Sequence, residues 1–345
     1  MVFQVRRSKE VLSGFTDPIE QTKLHQNDTL DRRFINYKTG KIKEVFVPIL
    51  KPENFGENMA VDDKNIGGEG CTIISNKETG KIALLATTTK IKILIEVLSK
   101  IPARTLFSVR TISKDLAEGY DWLARTTFMN AIRIADKFHV VKLAFEALQA
   151  VRIRYRQKIL TEERERRAKA KERERDKREI CQKTREVYQL RKQPVPRIKK
   201  YENGETIKEL LARSRYLLFK LSEKWTESQR ERAEILFREF PEIKTAYNLI
   251  CQFRIFYKIK IGEKGEAARQ LREWMQQVGQ TDIEELYDFA ATVEQRSDEI
   301  LNYFDAGHTN AFAESLNSQI QSFVGMNSGT RDQDFFFFRL KNYFS

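Results

Sequence analysis

Apolar and polar positions change their spacing along the chain, and the change separates two kinds of predicted structure. Short apolar or β-branched runs bounded by turn residues predict strands in the first half. Helical spacing predicts a helix over 91–101, with Ile91, Leu94, Ile95, Leu98 and Ile101 on one side. A second helix is predicted around 120–128. The predicted strands are 58–62, 71–75, 82–88, 105–112 and 131–135. Three consecutive strands followed by alternating helices and strands indicate an α/β fold with a mixed sheet.

Downstream of residue 139 the apolar spacing is helical throughout. A long helix begins at His139 and loses its apolar face near Val151, and residues 191–205 form a linker with two prolines. The helices predicted after it are 207–221, 227–240, 243–259, 266–278, 283–303 and 311–324. The last has an apolar stripe of Phe312, Leu316, Ile320 and Phe323, which predicts that it returns to the sheet.

These patterns divide the chain into a core interrupted by a large all-α insertion before the last core helix. The predicted parts are an N-terminal extension (1–55), the first part of the core (56–160), a basic helix with a linker (161–205), the insertion (206–306), and the last core helix with a tail (307–345).

Composition excludes several classes of protein. The 345 residues are 41% hydrophobic, which excludes a wholly disordered chain. No apolar run approaches the roughly 20 residues of a membrane span, and the start lacks the apolar segment of a signal peptide. Three widely separated cysteines without a CxxC pair support neither a disulfide framework nor a zinc ribbon. We therefore expect a soluble, cytoplasmic protein.

Almost all of the net charge of +13 lies in one segment. Residues 151–200 contain 20 Lys and Arg against 8 Asp and Glu. Between Thr161 and Glu179 the only apolar residues are two alanines, yet helix formers and i,i+4 charge pairs favour a helix of roughly 28 Å. The expected pairs are Glu163/Arg167, Glu165/Lys169 and Glu174/Arg178.

This charged helix has two compatible interpretations. It can be a solvated connection, a surface that contacts nucleic-acid phosphates, or both. Neutralising the phosphates releases counterions. In the second interpretation the contacting residues are Arg164, Arg166, Arg167 and Lys169.

Three acidic residues stand at the edges of predicted core elements. Asp62 ends the first strand, Asp115 follows the fourth, and Glu314 lies on the last helix, on a polar face shared with Asn317. Carboxylates placed in this way can converge on hard cations, which prefer oxygen ligands. Two such ions about 3.5–4 Å apart stabilise both the attacking and the leaving oxygen of a phosphoryl displacement.

Neighbouring residues compete for these roles. Asp63 adjoins Asp62 but points to the opposite face of a strand. Asp136 and His139 also follow a strand and are candidates for supporting the site or positioning DNA. His308 precedes the last helix, and a loop histidine is the simpler interpretation. Neither GxxxxGK[ST] nor GxGxxG occurs, so nucleotide hydrolysis has no support.

Five blocks of the sequence together resemble the insertion-sequence DDE transposases of the ISL-three group. They are AVDDKNIGG, TISKDLAEGYDWL, IRIADKFHVV, GHTNAFAESLNSQIQSF and GTRDQDFFFFRL. The resemblance covers about residues 55–160 and 205–340. It implies a ribonuclease-H-like core with an α-helical insertion, in which Asp62, Asp115 and Glu314 are the metal-binding triad.

The resemblance also implies an activity and partners. Two Mg²⁺ or Mn²⁺ ions would support hydrolysis of a phosphodiester at the ends of the mobile element, and the freed 3′-OH would then attack target DNA. Expected partners are double-stranded DNA at the element ends and at the target, and further copies of the chain in a dimer or larger synaptic complex. Association with the bacterial nucleoid follows when DNA is bound.

Family members usually carry an N-terminal zinc-binding and helix-turn-helix region, whereas the first 55 residues here contain no Cys/His cluster. A separately encoded DNA-recognition protein is therefore expected as a partner. Two alternatives stay open: a non-catalytic DNA-binding, architectural or repressor protein derived from a transposase, and a metal-dependent nuclease of the same superfamily.

Overall fold

The structure is a computed structural model that describes residues 5–6, 31–35, 42–184, 199–306, 311–327, 329–330 and 332–344. Two compact units divide the chain. The first contains the chain up to His139, the short segment Lys260–Lys264 and everything from Arg296 onwards. The second contains Val140–Ile259 and Gly265–Gln295.

A six-stranded sheet is the centre of the first unit. Its strands are β4 (Ile49–Leu50), β5 (Asn58–Ile66), β6 (Glu69–Asn76), β7 (Ile82–Ala86), β8 (Thr111–Lys114) and β9 (Ile132–Ala135), in the order β4-β7-β6-β5-β8-β9. β4, β7, β6 and β5 are antiparallel neighbours, while β5, β8 and β9 run parallel. The expected mixed α/β sheet is therefore present.

A second sheet has no counterpart among the sequence predictions. Three short strands form it, in the order β1-β2-β3: β1 (Val5–Arg6), β2 (Asp31–Ile35) and β3 (Ile42–Val45). Their composition is largely polar, so the apolar pattern gave no signal for them.

Thirteen α-helices lie in the described part of the chain. They are α1 (Ile91–Leu98), α2 (Ala103–Phe107), α3 (Glu118–Thr127), α4 (Lys137–Thr184), α5 (Ile207–Arg213), α6 (Glu227–Glu239), α7 (Pro241–Phe256), α8 (Lys264–Gly279), α9 (Glu284–Gln295), α10 (Ser297–Leu301), α11 (Tyr303–Ala306), α12 (Ala311–Met326) and α13 (Gln333–Phe344). No strand of these described residues lies beyond β9, as the helical spacing predicts.

The central sheet buries apolar side chains on both faces. On one face Met59, Val61 and Ile112 pack with Leu94 of α1 and Leu123 of α3. On the other, Ile66, Ile73 and Leu85 pack with Leu316, Ile320 and Phe323 of α12 and with Phe336 of α13. The apolar stripe predicted on the last core helix is confirmed at these three α12 positions.

Several predicted elements differ from the structure. The first strand was expected to end at Asp62, but β5 continues to Ile66 because its pairing with β6 extends that far. Residues 105–112 were expected to form one strand, but Pro102 precedes the short helix α2 and pairing with β5 begins only at Thr111. The helix expected over 207–221 ends at Arg213 and is followed by 3-10 turns at Leu217–Phe219 and Ser222–Lys224. The helix expected over 283–303 is divided into α9, α10 and α11.

The second unit consists of helices, and α4 connects the two units within one continuous element. Its residues Val140, Leu148 and Val151 are buried, whereas every residue from 164 to 180 except Glu174 is exposed. The fading apolar face is thus confirmed. No helix in the described ranges is both long and apolar enough to cross a membrane.

Candidate active site

Three aspartates lie close together where the parallel pairing of β5, β8 and β9 ends: Asp115 and Asp136 directly follow β8 and β9, and Asp62 lies within β5, which continues to Ile66 paired with β6. Ala60 of β5 is the partner of Ser113 in β8, and Lys114 of β8 is the partner of Ala135 in β9. When both registers are continued, Asp62 falls beside Asp115, and Asp115 falls beside Asp136. Neighbouring strands are about 4.8 Å apart, so the first two aspartates lie close together although 52 residues separate them in the sequence.

Asp62 shares its face of the sheet with α12. In β6 the partner of Asp62 is Ile73, which is buried together with Leu316 and Ile320. Glu314 belongs to the same helix, two residues before Leu316. The side chains of Glu314 and Asn317 lie outside the described part of the structure, as does His308.

Asp63 faces the opposite side, as strand alternation predicts. Its Oδ1 accepts a hydrogen bond of 2.9 Å from the hydroxyl of Thr72 and another from the hydroxyl of Tyr120 in α3. Burial raises the pKa of the Asp63 carboxyl, and these two hydrogen bonds act against that rise. Asp63 is therefore engaged in packing α3 onto the sheet.

His139 stands among the aspartates of the row. Its Nδ1 lies 3.0 Å from Oδ2 of Asp136, and its Nε2 lies 4.0 Å from Oδ1 of Asp62. The other oxygen of Asp136 accepts the backbone N–H of Phe138 at 3.1 Å, which fixes the carboxylate at the start of α4. The hydrogen bond to Asp136 is the main reason that the pKa of His139 is raised, and the charges of Asp115, Asp136 and Asp62 add to it.

A buried lysine, Lys77, contacts β8 close to the aspartate row. Lys77 follows β6, and its Nζ donates a hydrogen bond of 3.0 Å to Oγ of Ser113, two residues before Asp115. Burial lowers the pKa of Lys77 to about 8, while the charge of Asp136 opposes that change. Sequence reasoning missed Lys77, because it stands in a turn motif and only the strand register places it near the aspartates.

A buried cluster of charged side chains holds β8, the strand that Asp115 follows, in place. The side chain of Lys114 is fully buried, and its Nζ lies 2.8 Å from Oε2 of Glu299 and 3.4 Å from Oδ1 of Asp121. Arg133 and Arg296 also contact both carboxylates, at 3.3–3.7 Å. The cluster ties α10, which follows the helical insertion in sequence, to β8 and α3. It had no signal in the sequence, since its partners are up to 185 residues apart.

The aspartate row has the right chemistry for a hard cation, because carboxylate oxygens are the ligands that Mg²⁺ and Mn²⁺ prefer. Among the side chains that the structure describes, no three acidic, histidine or cysteine groups form a complete metal site. Asp62 and Asp115 are two of the three residues that the sequence predicts as metal ligands.

The charged part of α4 exposes Arg164, Arg166, Arg167 and Lys169. Of the three expected ion pairs, Glu174/Arg178 is formed at 3.1 Å. Glu163 instead contacts Lys208 of α5, and within the described residues Glu165 and Lys169 do not pair.

The sequence was compared with known protein families. The model of the ISL-three family of DDE transposases, described as a transposase, matches residues 59–340. The match runs from Met59 in β5 to Leu340 in α13, so it includes the other strands of the six-stranded sheet except β4, the helical second unit and α12. No curated protein and no solved structure matches the chain.

Proposed function

Because the chain belongs to the ISL-three group of transposases, we propose that it is the catalytic subunit of a DNA transposase, with Asp62, Asp115 and Glu314 as its metal-binding residues. The observation that carries the proposal is the strand register. It brings Asp62 and Asp115 together on the face where the helix containing Glu314 packs.

The strand order supports a ribonuclease-H-like core. If β5 is counted as the first strand, the spatial order β7-β6-β5-β8-β9 is third, second, first, fourth, fifth. The first three strands are antiparallel neighbours, and the fourth and fifth run parallel to the first. In such a core the carboxyl ends of β5 and β8 form one edge, to which a long insertion can be added without disturbing the sheet.

Asp62, Asp115 and Glu314 would hold Mg²⁺ or Mn²⁺, with two ions expected. When bound, these ions supply charge stabilisation for the attacking and leaving oxygens of an in-line displacement at phosphorus. Asp62 lies in β5 and Asp115 directly follows β8, so the sheet backbone would hold these two carboxylates in place and little rearrangement would precede the reaction.

His139 and Asp136 would position the DNA at this edge. The Asp136 carboxylate orients the imidazole through its Nδ1. The other ring nitrogen, Nε2, is then on the side of Asp62, where an N–H there would be a suitable donor to a phosphate oxygen. Asn317, in the first part of α12, is a second candidate contact.

The substrates are double-stranded DNA at the ends of the element and at the target. Two ends must be joined, so a dimer or a larger synaptic complex is part of the proposal, as is a separately encoded protein that recognises the ends. Hydrolysis frees a 3′-OH, and its attack on a target phosphodiester releases the target's own 3′ oxygen as leaving group, so no covalent protein–DNA intermediate is needed.

The test uses the full chain, labelled element ends, a target plasmid and Mg²⁺, with the recognition protein added where the element encodes one. Strand-transfer products should fall at least about a hundredfold in Asp62→Asn, Asp115→Asn and Glu314→Gln, because each variant removes a carboxylate that would hold the cation needed to stabilise the transition state. Asp63→Asn is the matched control, since it removes the neighbouring carboxylate on the other face, and joining should continue.

Other outcomes would identify the alternatives. Cleavage without joining favours a nuclease of the same superfamily. DNA binding without cleavage, unaffected by the triad substitutions, favours a non-catalytic DNA-binding protein. Equal loss in Asp62→Asn and Asp63→Asn would contradict the assignment of Asp62.

A further inference from the structure

The charged part of α4 contains one acidic stripe and two basic rows, with Glu162, Glu163 and Glu174 outside the stripe. Four acidic residues repeat at i, i+7, i+11 and i+14 and so form one stripe: Glu165, Glu172, Asp176 and Glu179. The basic residues occupy other sides. Residues 164–180 are exposed apart from Glu174, so no packing against the described protein explains this arrangement.

One basic row has few internal partners. Arg166, Lys169, Arg173 and Lys177 are spaced i, i+3, i+7 and i+11, which places them along one side of the helix over roughly 16 Å. Lys169, Arg173 and Lys177 form no ion pair with any described residue, and Arg166 donates only to the backbone oxygen of Glu162, at 3.3 Å. We name these four residues the inner row.

A second basic row lies on the opposite side and is partly neutralised. It contains Arg164, Lys171, Arg175 and Arg178, which we name the outer row. Arg178 pairs with Glu174 at 3.1 Å, and Arg175 pairs with Glu179 at 3.9 Å. A phosphate that binds the outer row must compete with these carboxylates, whereas the inner row presents four positive charges without such competition.

The inner row also continues the side of α4 that packs within the helical unit. Tyr155, eleven residues before Arg166, lies on this side, and its ring contacts Phe240 at 4.9 Å between centroids. Further along α4, Glu163 on a neighbouring side contacts Lys208 of α5, and residues 164–180 are exposed apart from Glu174. Positive charge therefore replaces apolar packing on one continuous face.

We propose that the inner row is a contact surface for the phosphate backbone of duplex DNA and that the outer row is solvated. This inference rests on the proposed function, which supplies the polyanion. A B-form duplex carries one charge per about 1.7 Å of axis, so a row of roughly 16 Å faces several phosphates at once. Within the sequence-predicted set, Arg166 and Lys169 belong to this contact, while Arg164 and Arg167 do not.

The test compares two variants of equal charge. One carries Arg166→Gln, Lys169→Gln, Arg173→Gln and Lys177→Gln; the other carries Arg164→Gln, Lys171→Gln, Arg175→Gln and Arg178→Gln. Glutamine keeps a high helix propensity, and circular dichroism checks that both variants retain α4. Binding of the full chain to a labelled duplex is measured in EDTA, between about 50 and 200 mM salt.

The expected result is a change of slope in the inner-row variant alone. Each lost phosphate contact flattens the plot of log K against log salt by about 0.9, so four contacts give about 3–4, whereas the outer-row variant should change by less than about 1. The single variants Arg173→Gln and Arg175→Gln repeat the comparison with less change to the helix, with an expected difference of about 0.9.

Equal slopes in the two variants, or a larger change in the outer-row variant, would overturn the inference. So would a change that appears only in self-association, measured by sedimentation, since the row would then bind a second copy of the chain. These outcomes leave Asp62-dependent cleavage intact, whereas failure of the unmodified chain to bind DNA would contradict the proposed function itself.

Discussion

Asp62 and Asp63 are adjacent carboxylates that the strand assigns to different tasks. Asp62 lies on the α12 face, 4.0 Å from Nε2 of His139 and beside Asp115 in the continued register. Asp63 accepts hydrogen bonds from Thr72 and Tyr120 on the other face. Strand alternation is a local rule, and for this reason the sequence could separate these two residues correctly.

His139 provides a pH-dependent test of the aspartate row. In the metal-free protein, Asp136→Asn should lower the pKa of His139 toward its ordinary value of 6.5, because the hydrogen bond to Asp136 is the largest cause of the rise. The amide of asparagine still accepts the Phe138 N–H. The chain has only three histidines, so the ring resonances can be followed by NMR and assigned with His139→Gln.

The same interaction predicts the sign of a stability change. The folded pKa lies above 6.5, so the contribution of His139 is fully present below pH 6.5 and is lost as the pH rises through the folded pKa. The stability difference between the unmodified chain and Asp136→Asn should therefore narrow above pH 6.5. A difference that widens with pH would contradict this account.

At the scale of elements, the sequence predicted what periodicity encodes and missed what tertiary pairing decides. The stripe of Leu316, Ile320 and Phe323 was visible because helical spacing and apolar character coincide. The strand at Thr111–Lys114 was displaced in the prediction because residues 105–110 are as apolar as a strand, and only the pairing with β5 defines its start.

Charged residues inside the fold were the least predictable. Lys77 and Lys114 resemble surface lysines in the sequence, yet both are buried. Their partners come from distant strands and helices, so no local pattern reports them. The sequence predicted both Asp62 and Asp115 at strand ends, which is wrong for Asp62 because β5 continues to Ile66. Their proximity could be found only from the order of the strands in the sheet.

Lys114 and Arg125 both contact the carboxylate of Asp121, but their substitutions should change the free energy of unfolding by different amounts. Lys114→Met should reduce the free energy of unfolding by about 3–5 kcal/mol, because it leaves Glu299 and Asp121 buried with a cation removed. Arg125 contacts Asp121 at 2.8 Å but its side chain is 59% exposed, so Arg125→Ala should cost less than about 1 kcal/mol.

Hydrogen exchange of the β8 amides gives the measurement, since it reports on the first unit without requiring the whole chain to unfold in one step. Comparable losses of protection in Lys114→Met and Arg125→Ala would show that the buried cluster does not hold β8 in place.

At the scale of the whole molecule, positive and negative charge are assigned to different parts of the chain. Residues 151–200 hold nearly the entire net charge, and the exposed part of α4 displays it in rows. The aspartate row belongs to the first unit, and the exposed charged part of α4 belongs to the second. Binding of DNA and hydrolysis of DNA should therefore respond to different substitutions.

The central claim is that Asp62 and Asp115 hold the catalytic cation, and Mn²⁺ binding tests it most directly. Titration of the full chain with Mn²⁺, followed by electron paramagnetic resonance of the free ion, should show affinity at least tenfold lower in Asp62→Asn and in Asp115→Asn. This expectation is conservative, since loss of residues that only support metal ligands costs about 10–100-fold. Asp63→Asn should bind Mn²⁺ within about twofold of the unmodified chain, because it leaves both ligands in place. Affinity that falls in Asp63→Asn and persists in Asp62→Asn would contradict the account.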